Sequence, residues 1–337
     1  MGTDSRTGYE TRVRLTLLVA TLPFLAVSFA RAERPAPLPR SDAGVYSLEL
    51  EALPTVRSTE APRPRAVYVD GGSFRMGNNH GNDDERPVRE VSVEPFFMLE
   101  SEVTAAHYLP FLNDVAVTRD GTYCGHRLIE TGDRDCPIDY VFSFVFSGSD
   151  PARTVGRPMI EVSWYGAVAY ANWLSEQDGL TAAYEIGREA VVWNRDADGW
   201  RLPTEAEWEF ASRGGRLARD TVYAGSNDPD TVAWYDENAD QRTHEPAQKL
   251  WNELGLYDMS GNVREWCWDR YSPAYYQYTA GENPIGPPGG KTRVVRGGSW
   301  RDDESHATVW RRDHLPPHDT NDNTGFRLVR EAPKTQR

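Results

Sequence analysis

The chain has 337 residues, of which 39% are hydrophobic and 26% charged, and it contains 11 Trp and 16 Tyr. This composition is typical of a soluble globular protein with a large aromatic core, and it excludes an intrinsically disordered chain. The formal net charge of −14 would repel phosphate backbones and anionic lipids. Neither nucleic acid nor an acidic membrane surface is therefore an expected partner.

The first 32 residues have the pattern of an export signal. Arg12 and Arg14 precede the apolar run "LTLLVATLPFLAVSF" (15–29), and "ARA" (30–32) supplies small residues at a cleavage point. An uncleaved membrane anchor is the alternative, but a bilayer span takes about 20 apolar residues. We predict a signal peptide over 1–32, a periplasmic or secreted mature protein, and no transmembrane segment once the leader is removed.

A Pro-rich linker is predicted for residues 33–65, because "ERPAPLPR" and "EAPRPR" extend rather than pack. Within it, "VYSLELE" (45–51) alternates as an edge strand does. Residues 66–331 are aromatic and punctuated by Gly, with neither an internal linker nor a repeat. We interpret them as one domain, followed by a short tail over 332–337.

Three helices are predicted in the domain, each beginning at a capping residue. Thr104 precedes "AAHYLPFLNDV", where Pro110 predicts a kink or an early end. Ser163 precedes "WYGAVAYANWLSEQD", and Gly179 predicts where that helix stops. Thr204 precedes "EAEWEFASR" and forms a capping box with the Glu three positions later.

Short β-prone runs lie between these helices, at 66–77, 89–99, 190–194 and 292–300. Long connections rich in Gly, Asn and Asp fill the remainder. The pattern predicts a mixed α+β domain with little regular structure for its size.

Export changes how the three cysteines are interpreted. Cys124 and Cys136 flank a polar stretch, and an oxidising compartment would allow them to form a disulfide. Cys267 lies between two Trp residues, which indicates a buried, inert thiol.

Seven motifs occur in a fixed order along the domain. They are "GGSFRMG" (71–77), "EVT" (102–104), "VSWYGAVAYANWLS" (162–175), "RLPTEAEWEFASRGG" (201–215), "NELGLYDMSGNVREW" (252–266), "RVVRGGSW" (293–300) and "GFRLVR" (325–330). The series closely resembles the formylglycine-generating enzyme, or sulfatase-modifying factor, family. The resemblance covers about residues 66–330 and implies an irregular α+β fold related to C-type lectins.

The resemblance also implies a calcium ion in the loop that follows "GLY". Its ligands would be two carboxylates and two backbone oxygens, from Asp258, Glu265, Gly261 and Val263. Calcium takes six to eight oxygen ligands, some of them carbonyls. The alternative is a turn whose backbone is satisfied by Ser260 and Asn262 while the neighbouring Trp residues pack the core. On either interpretation the loop is structural rather than catalytic.

A second segment, "NRDADGWRLPTE" (194–205), has the spacing of an EF-hand loop. An EF-hand needs an entering helix, and the preceding "EAVVWN" is β-prone. We therefore favour a polar turn at Asp198-Gly199 that leads into a capped helix.

Formylglycine-generating oxidases bind copper(I) through two cysteines downstream of Gly-Gly-Ser. Those positions are Asp302 and Ala307 in this chain. Copper(I) is soft and prefers thiolates, so a carboxylate and a methyl group cannot replace them. Copper is not an expected cofactor, and formylglycine formation by the known route is not expected.

Other metal chemistry has little local support. Sulfoxide synthases of the ergothioneine pathway take iron ligands from an added helical domain, where this chain has the Pro-rich linker. His314 and His318 lie four positions apart, but Pro316 and Pro317 forbid the helix that would align them. A metal site whose ligands come from loops that are distant in the sequence is still an alternative.

The segment 297–314 carries a dense polar cluster where the family has its substrate cleft. Candidate general bases there are Asp302, Asp303 and Glu304, with His306 assisting. The predicted cleft is bounded by Trp300, Arg301, Trp310 and Arg311. A siderophore-maturation branch of the family also lacks the copper cysteines and relies on a carboxylate. The alternative is a solvated loop with internal ion pairs.

Two functions therefore remain. The first is an exported binding or protein-maturation and assembly factor that presents a polar cleft to a peptide or surface partner without copper. The second is an oxidoreductase of the formylglycine-generating or siderophore-maturation type with a centre that is not built from cysteine.

Overall fold

The computed structural model describes residues 63–148, 154–278 and 281–333. They lie in a compact unit that spans Val56–Arg337. The predicted signal peptide, the "VYSLELE" segment and most of the predicted linker and tail lie outside the described residues. Among the helices that are described, none has the length and apolar character needed to cross a membrane.

The described residues form five α-helices, of which the first three begin directly after the predicted capping residues. They are α1 (Ala105–Asp114), α2 (Trp164–Gln177), α3 (Glu205–Ser212), α4 (Pro229–Val232) and α5 (Tyr275–Tyr278). Thr104 accepts a hydrogen bond from the His107 backbone N–H, and the capping box of Thr204 and Glu207 is present. Gly179, with φ +70°, follows the end of α2.

The early end predicted at Pro110 is wrong, because α1 continues through it to Asp114. Tyr108, Phe111 and Leu112, on both sides of the proline, are fully or almost fully buried. Burial of these side chains offsets the backbone hydrogen bond that proline cannot donate.

Within the described residues, sixteen short strands form small sheets. They are β1 (Ala66–Val69), β2 (Gly72–Met76), β3 (Arg89–Val93), β4 (Phe96–Leu99), β5 (Thr122–Tyr123), β6 (His126–Arg127), β7 (Ile138–Tyr140), β8 (Phe144–Phe146), β9 (Tyr184–Ile186), β10 (Val191–Trp193), β11 (Arg264–Arg270), β12 (Gly281–Glu282), β13 (Arg293–Arg296), β14 (Asp313–Leu315), β15 (Thr324–Gly325) and β16 (Val329–Glu331). The largest sheet has the order β14-β13-β11-β15. This is the mixed α+β architecture, poor in regular structure, that the sequence predicts.

The central strand β11 connects the aromatic core to the largest sheet. Trp266 on β11 is fully buried and its indole N–H donates to the Val162 carbonyl at 3.0 Å. A second hydrogen bond joins the same two segments: the indole N–H of Trp164 donates to the Cys267 carbonyl at 3.0 Å. Buried Trp side chains thus satisfy backbone carbonyls while filling the core, which holds long irregular segments in place.

The predicted disulfide is wrong for this structure, because Cys124, Cys136 and Cys267 are all free thiols. Cys124 is exposed in the turn between β5 and β6. Cys136 is buried with its Sγ 3.1 Å from the Ile138 carbonyl oxygen, and burial raises the pKa of its thiol to about 12. One thiol faces solvent and the other the core. Cys267 is buried as predicted, and burial raises its pKa well above the usual value.

Candidate functional site

The predicted polar cluster begins where β13 ends, at Gly297 and Gly298. Gly298 has φ +68°, and a Cβ there would lie 2.7 Å from the His306 carbonyl carbon. Only glycine allows this close approach. The loop therefore folds under the short 3-10 helix Glu304–Ala307. Beneath it lies the 258–263 loop, whose Asn262 carbonyl accepts the Trp300 backbone N–H at 2.9 Å.

Asp302 is held by two partners and does not fit the role of a general base. Arg264, the first residue of β11, binds both of its carboxylate oxygens, with an Nε–Oδ2 distance of 2.9 Å. Ser299 donates its hydroxyl to Oδ2 at 2.5 Å. Both carboxylate oxygens are therefore occupied by hydrogen-bond donors of the protein itself.

The remaining predicted positions have different surroundings. Asp303 is exposed and caps the 3-10 helix, and hydrogen bonds from Ser305 lower the pKa of its carboxyl. Glu304 is exposed on the same helix. Ala307 is 2% exposed, and its carbonyl accepts the Ser260 hydroxyl at 2.7 Å. The position of the second copper thiol is thus inside the packed protein.

His306 pairs with Asp313, a residue that the sequence analysis did not select as a candidate. Their Nδ1 and Oδ2 atoms are 3.0 Å apart, and Arg311 lies 3.3 Å from the other carboxylate oxygen. Arg264 begins β11 and is 38 positions from Asp302 in the sequence, whereas Asp313 begins β14 only 7 positions after His306. No local pattern joins either residue to the 297–307 loop, although Asp313 lies in the mixed-charge segment.

This pairing predicts a measurable shift in the acid–base behaviour of His306. The hydrogen bond that the imidazole donates to the Asp313 carboxylate raises the pKa of His306, and burial opposes that effect. Asp313→Asn is expected to lower the pKa of His306. NMR titration of the imidazole ring signals in both proteins measures this change. His107 serves as an internal reference, because burial lowers its pKa to about 4 without a carboxylate partner. An unchanged His306 pKa in the variant would show that the pair does not form.

The sign of the corresponding effect on stability follows from the direction of the shift. The pair contributes stability below the unfolded histidine pKa of about 6.5. That contribution is lost as the pH rises through the raised pKa of folded His306.

Trp300 and Trp310, two residues of the predicted cleft, have different surroundings. Trp300 donates its indole N–H to the Asp322 carbonyl at 3.0 Å, and Arg301 packs over its ring with 4.7 Å to the centroid. Trp310 packs instead with a second hydrophobic cluster, and Arg213 lies 5.8 Å from its ring centroid. Among the described aromatic contacts, none joins the two indoles. Trp300 is thus the aromatic support of the loop, and the predicted cleft stays a prediction.

A shallow open depression of about 520 Å³ lies elsewhere, beside the β5–β6 hairpin. Its lining is polar and comprises Thr118, Arg119, Asp120, Arg127, Glu130, Thr131 and Gly132. None of the predicted site residues lines it, and nothing in its lining indicates a reaction.

The two carboxylates among the predicted calcium ligands differ in how many of their oxygens already have hydrogen-bond partners. Asp258 is 3% exposed; its Oδ2 accepts the Ala247 backbone N–H at 2.8 Å, whereas its buried Oδ1 has no hydrogen-bond partner. Glu265 is fully occupied, because Arg327 binds both of its oxygens at 2.7 to 2.9 Å and Trp208 donates to Oε2 at 2.8 Å. Asp258 therefore fits the ligand role that the resemblance implies, and Glu265 does not.

Other metal arrangements find no support in the described part of the chain. No group of three or more His, Cys, Asp and Glu side chains suited to a metal occurs there. The EF-hand-like segment is a turn, as favoured above: Asn194 accepts the Asp196 backbone N–H, Asp198 accepts that of Thr181, and Glu205 is buried among arginines. His314 stacks on Tyr271, while His318 is exposed beside Asp319.

Comparison with known proteins agrees with the resemblance. The sequence model described as "Sulfatase-modifying factor enzyme 1-like domain" matches residues 52–332. The formylglycine-generating enzyme of Streptomyces coelicolor is 30% identical over 82% of this chain and 93% of its own. The inactive C-alpha-formylglycine-generating enzyme 2 of Mus musculus is also 30% identical, over 86% and 92%.

Relatives with other names show the same domain. Chaperone protein LppX of Paenibacillus barcinonensis is 29% identical over 78% of this chain and 88% of its own. The match to serine/threonine-protein kinase Pkn1 of Chlamydia trachomatis, at 31% identity, spans 79% of this chain but only 38% of that protein. Among solved structures, Treponema denticola variable protein 1 superposes with a TM-score of 0.63 at 27% identity, over 79% of this chain and 95% of its own.

Proposed function

Because the chain belongs to the sulfatase-modifying factor family, we propose that it is an exported, copper-independent member that presents the 301–306 loop to a peptide or protein partner during protein maturation or assembly. The proposal rests on the residues that occupy the two positions where the oxidases have their copper-binding cysteines. The Asp302 carboxylate is hydrogen-bonded to Arg264 and Ser299, and Ala307, the last residue of the 3-10 helix, is buried. Nothing at either position can bind a soft metal.

The form of the loop supports a binding role. Arg301, Asp303, Glu304 and Ser305 are exposed, while the bonds of Asp302 and Trp300 hold the backbone beneath them. Exposed polar residues on a rigid support are the usual arrangement at recognition sites, because little conformational entropy is lost on binding. The mixture of both charge signs fits a polar peptide or protein surface rather than a nucleic acid, which the net charge of −14 also disfavours.

The names of two relatives support a function without oxidase chemistry. One is named a chaperone, and it aligns with this chain over 88% of its length. Another is named an inactive form of the formylglycine-generating enzyme. The family domain is therefore compatible with a role that needs no oxidase chemistry. The apolar run at 15–29 with its flanking arginines supports export.

The proposal is tested with an array of randomised 12-residue peptides probed with the purified protein. We expect a set of peptides to be retained, and Glu304→Lys to reduce their binding by about tenfold or more, since charge reversal at an interface disfavours docking. Glu189→Lys is the matched control, because Glu189 is exposed in the separate turn between β9 and β10. Equal loss in both variants would mean that the loop does not recognise the peptides.

A second candidate is an enzyme with a centre that is not built from cysteine, and the His306–Asp313 pair is the observation that favours it. A histidine oriented by a carboxylate through Nδ1 can accept a proton at Nε2. Elemental analysis of the purified protein separates the two functions. Stoichiometric iron or copper, with oxidation of a substrate that is lost in His306→Gln, would replace the binding proposal by the enzyme.

A further inference from the structure

The hairpin of β7 and β8 ends in an apolar tip that the rest of the described chain does not cover. Phe142 is 93% exposed, the largest exposed fraction among the large hydrophobic side chains that the structure describes, and its neighbour Val141 is 62% exposed. One exposed apolar residue is ordinary on a protein surface, but two adjacent ones leave a larger apolar area in water. An aromatic side chain that can be buried on a partner is typical of the residues that contribute most to binding.

The hairpin is attached to the core at its base. Phe144 on β8 is 4% exposed, its backbone N–H donates to Asn113 Oδ1, and its carbonyl accepts Asn113 Nδ2, both at 3.0 Å. Beyond β8, Ser147 donates its hydroxyl to the Cys136 carbonyl at 2.6 Å. Because these contacts already fix the hairpin in the free protein, little conformational entropy would be lost when its tip is covered.

The same contacts leave β7 as the outer strand of the hairpin. Asn113 binds both main-chain groups of Phe144, so those groups point away from β7. Phe144 is paired with Tyr140, and in a pair of this kind both residues direct their main-chain groups outward. The N–H and carbonyl of Tyr140, a partly exposed residue, therefore point away from β8. No strand in the described part of the chain pairs with that edge.

The segment that carries the hairpin is acidic. Residues 131–146 contain three aspartates and one arginine. The arginine, Arg134, has its Nε 3.6 Å from Asp135 Oδ1. Asp133 is exposed, its Oδ1 accepts the Asp135 backbone N–H at 2.8 Å, and it forms no ion pair with any residue that the structure describes. The surplus negative charge favours a partner that carries positive charge beside its apolar contact.

We propose that the hairpin binds an extended segment of a partner protein in which lysine or arginine lies close to a large apolar side chain. The segment lies along β7 as an added strand, and its main chain is hydrogen-bonded to Tyr140. Its apolar side chain covers Val141 and Phe142, while its cationic side chain lies near Asp133. Strand addition takes affinity from main-chain hydrogen bonds and specificity from the side chains. The inference concerns residues outside the 301–306 loop and does not rest on the function proposed for that loop.

The test uses two libraries of 12-residue peptides. In the first, Lys or Arg stands two positions from Leu, Phe or Trp, so that both side chains lie on one face of an extended strand; in the second, Gln replaces Lys and Arg. We expect peptides of the first library to bind and those of the second to bind much more weakly. Phe142→Ser should weaken binding by about tenfold or more, because the aromatic contact is lost. Asp133→Asn keeps the side-chain acceptor of the turn and should weaken binding by about two- to fivefold, the range for an exposed ion pair.

Each of these variants has a matched control elsewhere on the surface. Leu217→Ser removes a side chain that is 62% exposed at the end of the separate 3-10 helix Gly215–Leu217. Asp196→Asn removes an exposed carboxylate in the turn after β10. Neither control should change peptide binding. Hydrogen exchange measures the strand addition itself, since the Tyr140 amide should exchange more slowly in the complex.

Four results would overturn the proposal. Phe142→Ser could weaken binding no more than Leu217→Ser, or peptides of both libraries could bind equally. Exchange of the Tyr140 amide could be the same in the free protein and the complex, which would exclude strand addition. Sedimentation with phosphatidylcholine vesicles that depends on Phe142 would indicate that the tip enters a membrane instead. By contrast, peptides that are lost in Glu304→Lys but retained by Phe142→Ser would belong to the 301–306 loop, which would count against the hairpin and leave the proposed function standing.

Discussion

Replacement of Glu205 by Gln is expected to lower the free energy of unfolding by about 3–5 kcal/mol, the range for removal of one partner from a buried ion pair. Glu205 is 1% exposed and lies between two arginines: Arg296 donates at 2.9 Å, and Arg312 donates at 2.6 and 2.9 Å. Without the carboxylate, Arg312 would lose its carboxylate partner, and Arg296 would keep only its ion pair with Glu209. Urea unfolding of both proteins measures the difference.

The same variant should lose its effect in acid. Burial raises the pKa of Glu205, but Arg312 and Arg296 outweigh that effect and hold the pKa at about 2. A carboxyl with a depressed pKa stabilises the fold above its unfolded value, about 4.3 to 4.5, and the contribution disappears as the pH falls toward 2. The difference between wild type and Glu205→Gln should therefore be full at pH 7 and shrink below pH 4.

The control for this pair of measurements is Glu176→Gln. Glu176 is exposed on α2, and surface substitutions usually change stability by less than about 0.5 kcal/mol. If Glu205→Gln changes stability no more than this control, or if its effect is the same at pH 3 and pH 7, the two arginines do not depend on Glu205 for their charge compensation.

Features fixed by neighbouring residues could be predicted from the sequence. The starts of α1, α2 and α3 follow from Thr104, Ser163 and Thr204, whose side chains bind backbone N–H groups within the next turn. Features that depend on packing could not be predicted. The early end expected at Pro110 does not occur because tertiary burial stabilises α1 on both sides, and the cysteine pairing fails because Cys136 points into the core.

In the candidate site, too, local features could be predicted from the sequence and contacts made by packing could not. Its location at 297–307 could be predicted, since the Gly-Gly-Ser motif and the substituted thiol positions are local. The roles of its residues could not, because Asp302 binds Arg264 from β11, and the pairing of His306 with Asp313 depends on how the residues between them fold. Mixed charges in a loop carry no information about which distant strand will supply the opposite charge.

The wild-type protein should not convert a Cys-x-Pro-x-Arg peptide to formylglycine, even when it is supplied with copper(I), oxygen and a thiol. Copper(I) needs two soft ligands, and this chain has a carboxylate bound to Arg264 and a buried methyl group where they would stand. Mass spectrometry of the peptide measures the outcome. Formation of the aldehyde by unmodified protein would contradict both the absence of copper chemistry and the proposed binding function.

The double change Asp302→Cys and Ala307→Cys should create copper(I) affinity, whereas either single change should bind copper(I) much more weakly because only one thiolate is present. Arg264 makes this result more favourable, since removal of Asp302 leaves its guanidinium beside the new thiol, and a neighbouring cation lowers a thiol pKa and favours the thiolate. Competition with a copper(I) chelator measures the affinity of all four proteins. Turnover need not accompany binding, because a displacement of about 1 Å in the substrate can abolish most of the rate. Equal copper(I) affinity in the double variant and in the wild type would show that residues 302 and 307 do not face each other as they do in the oxidases.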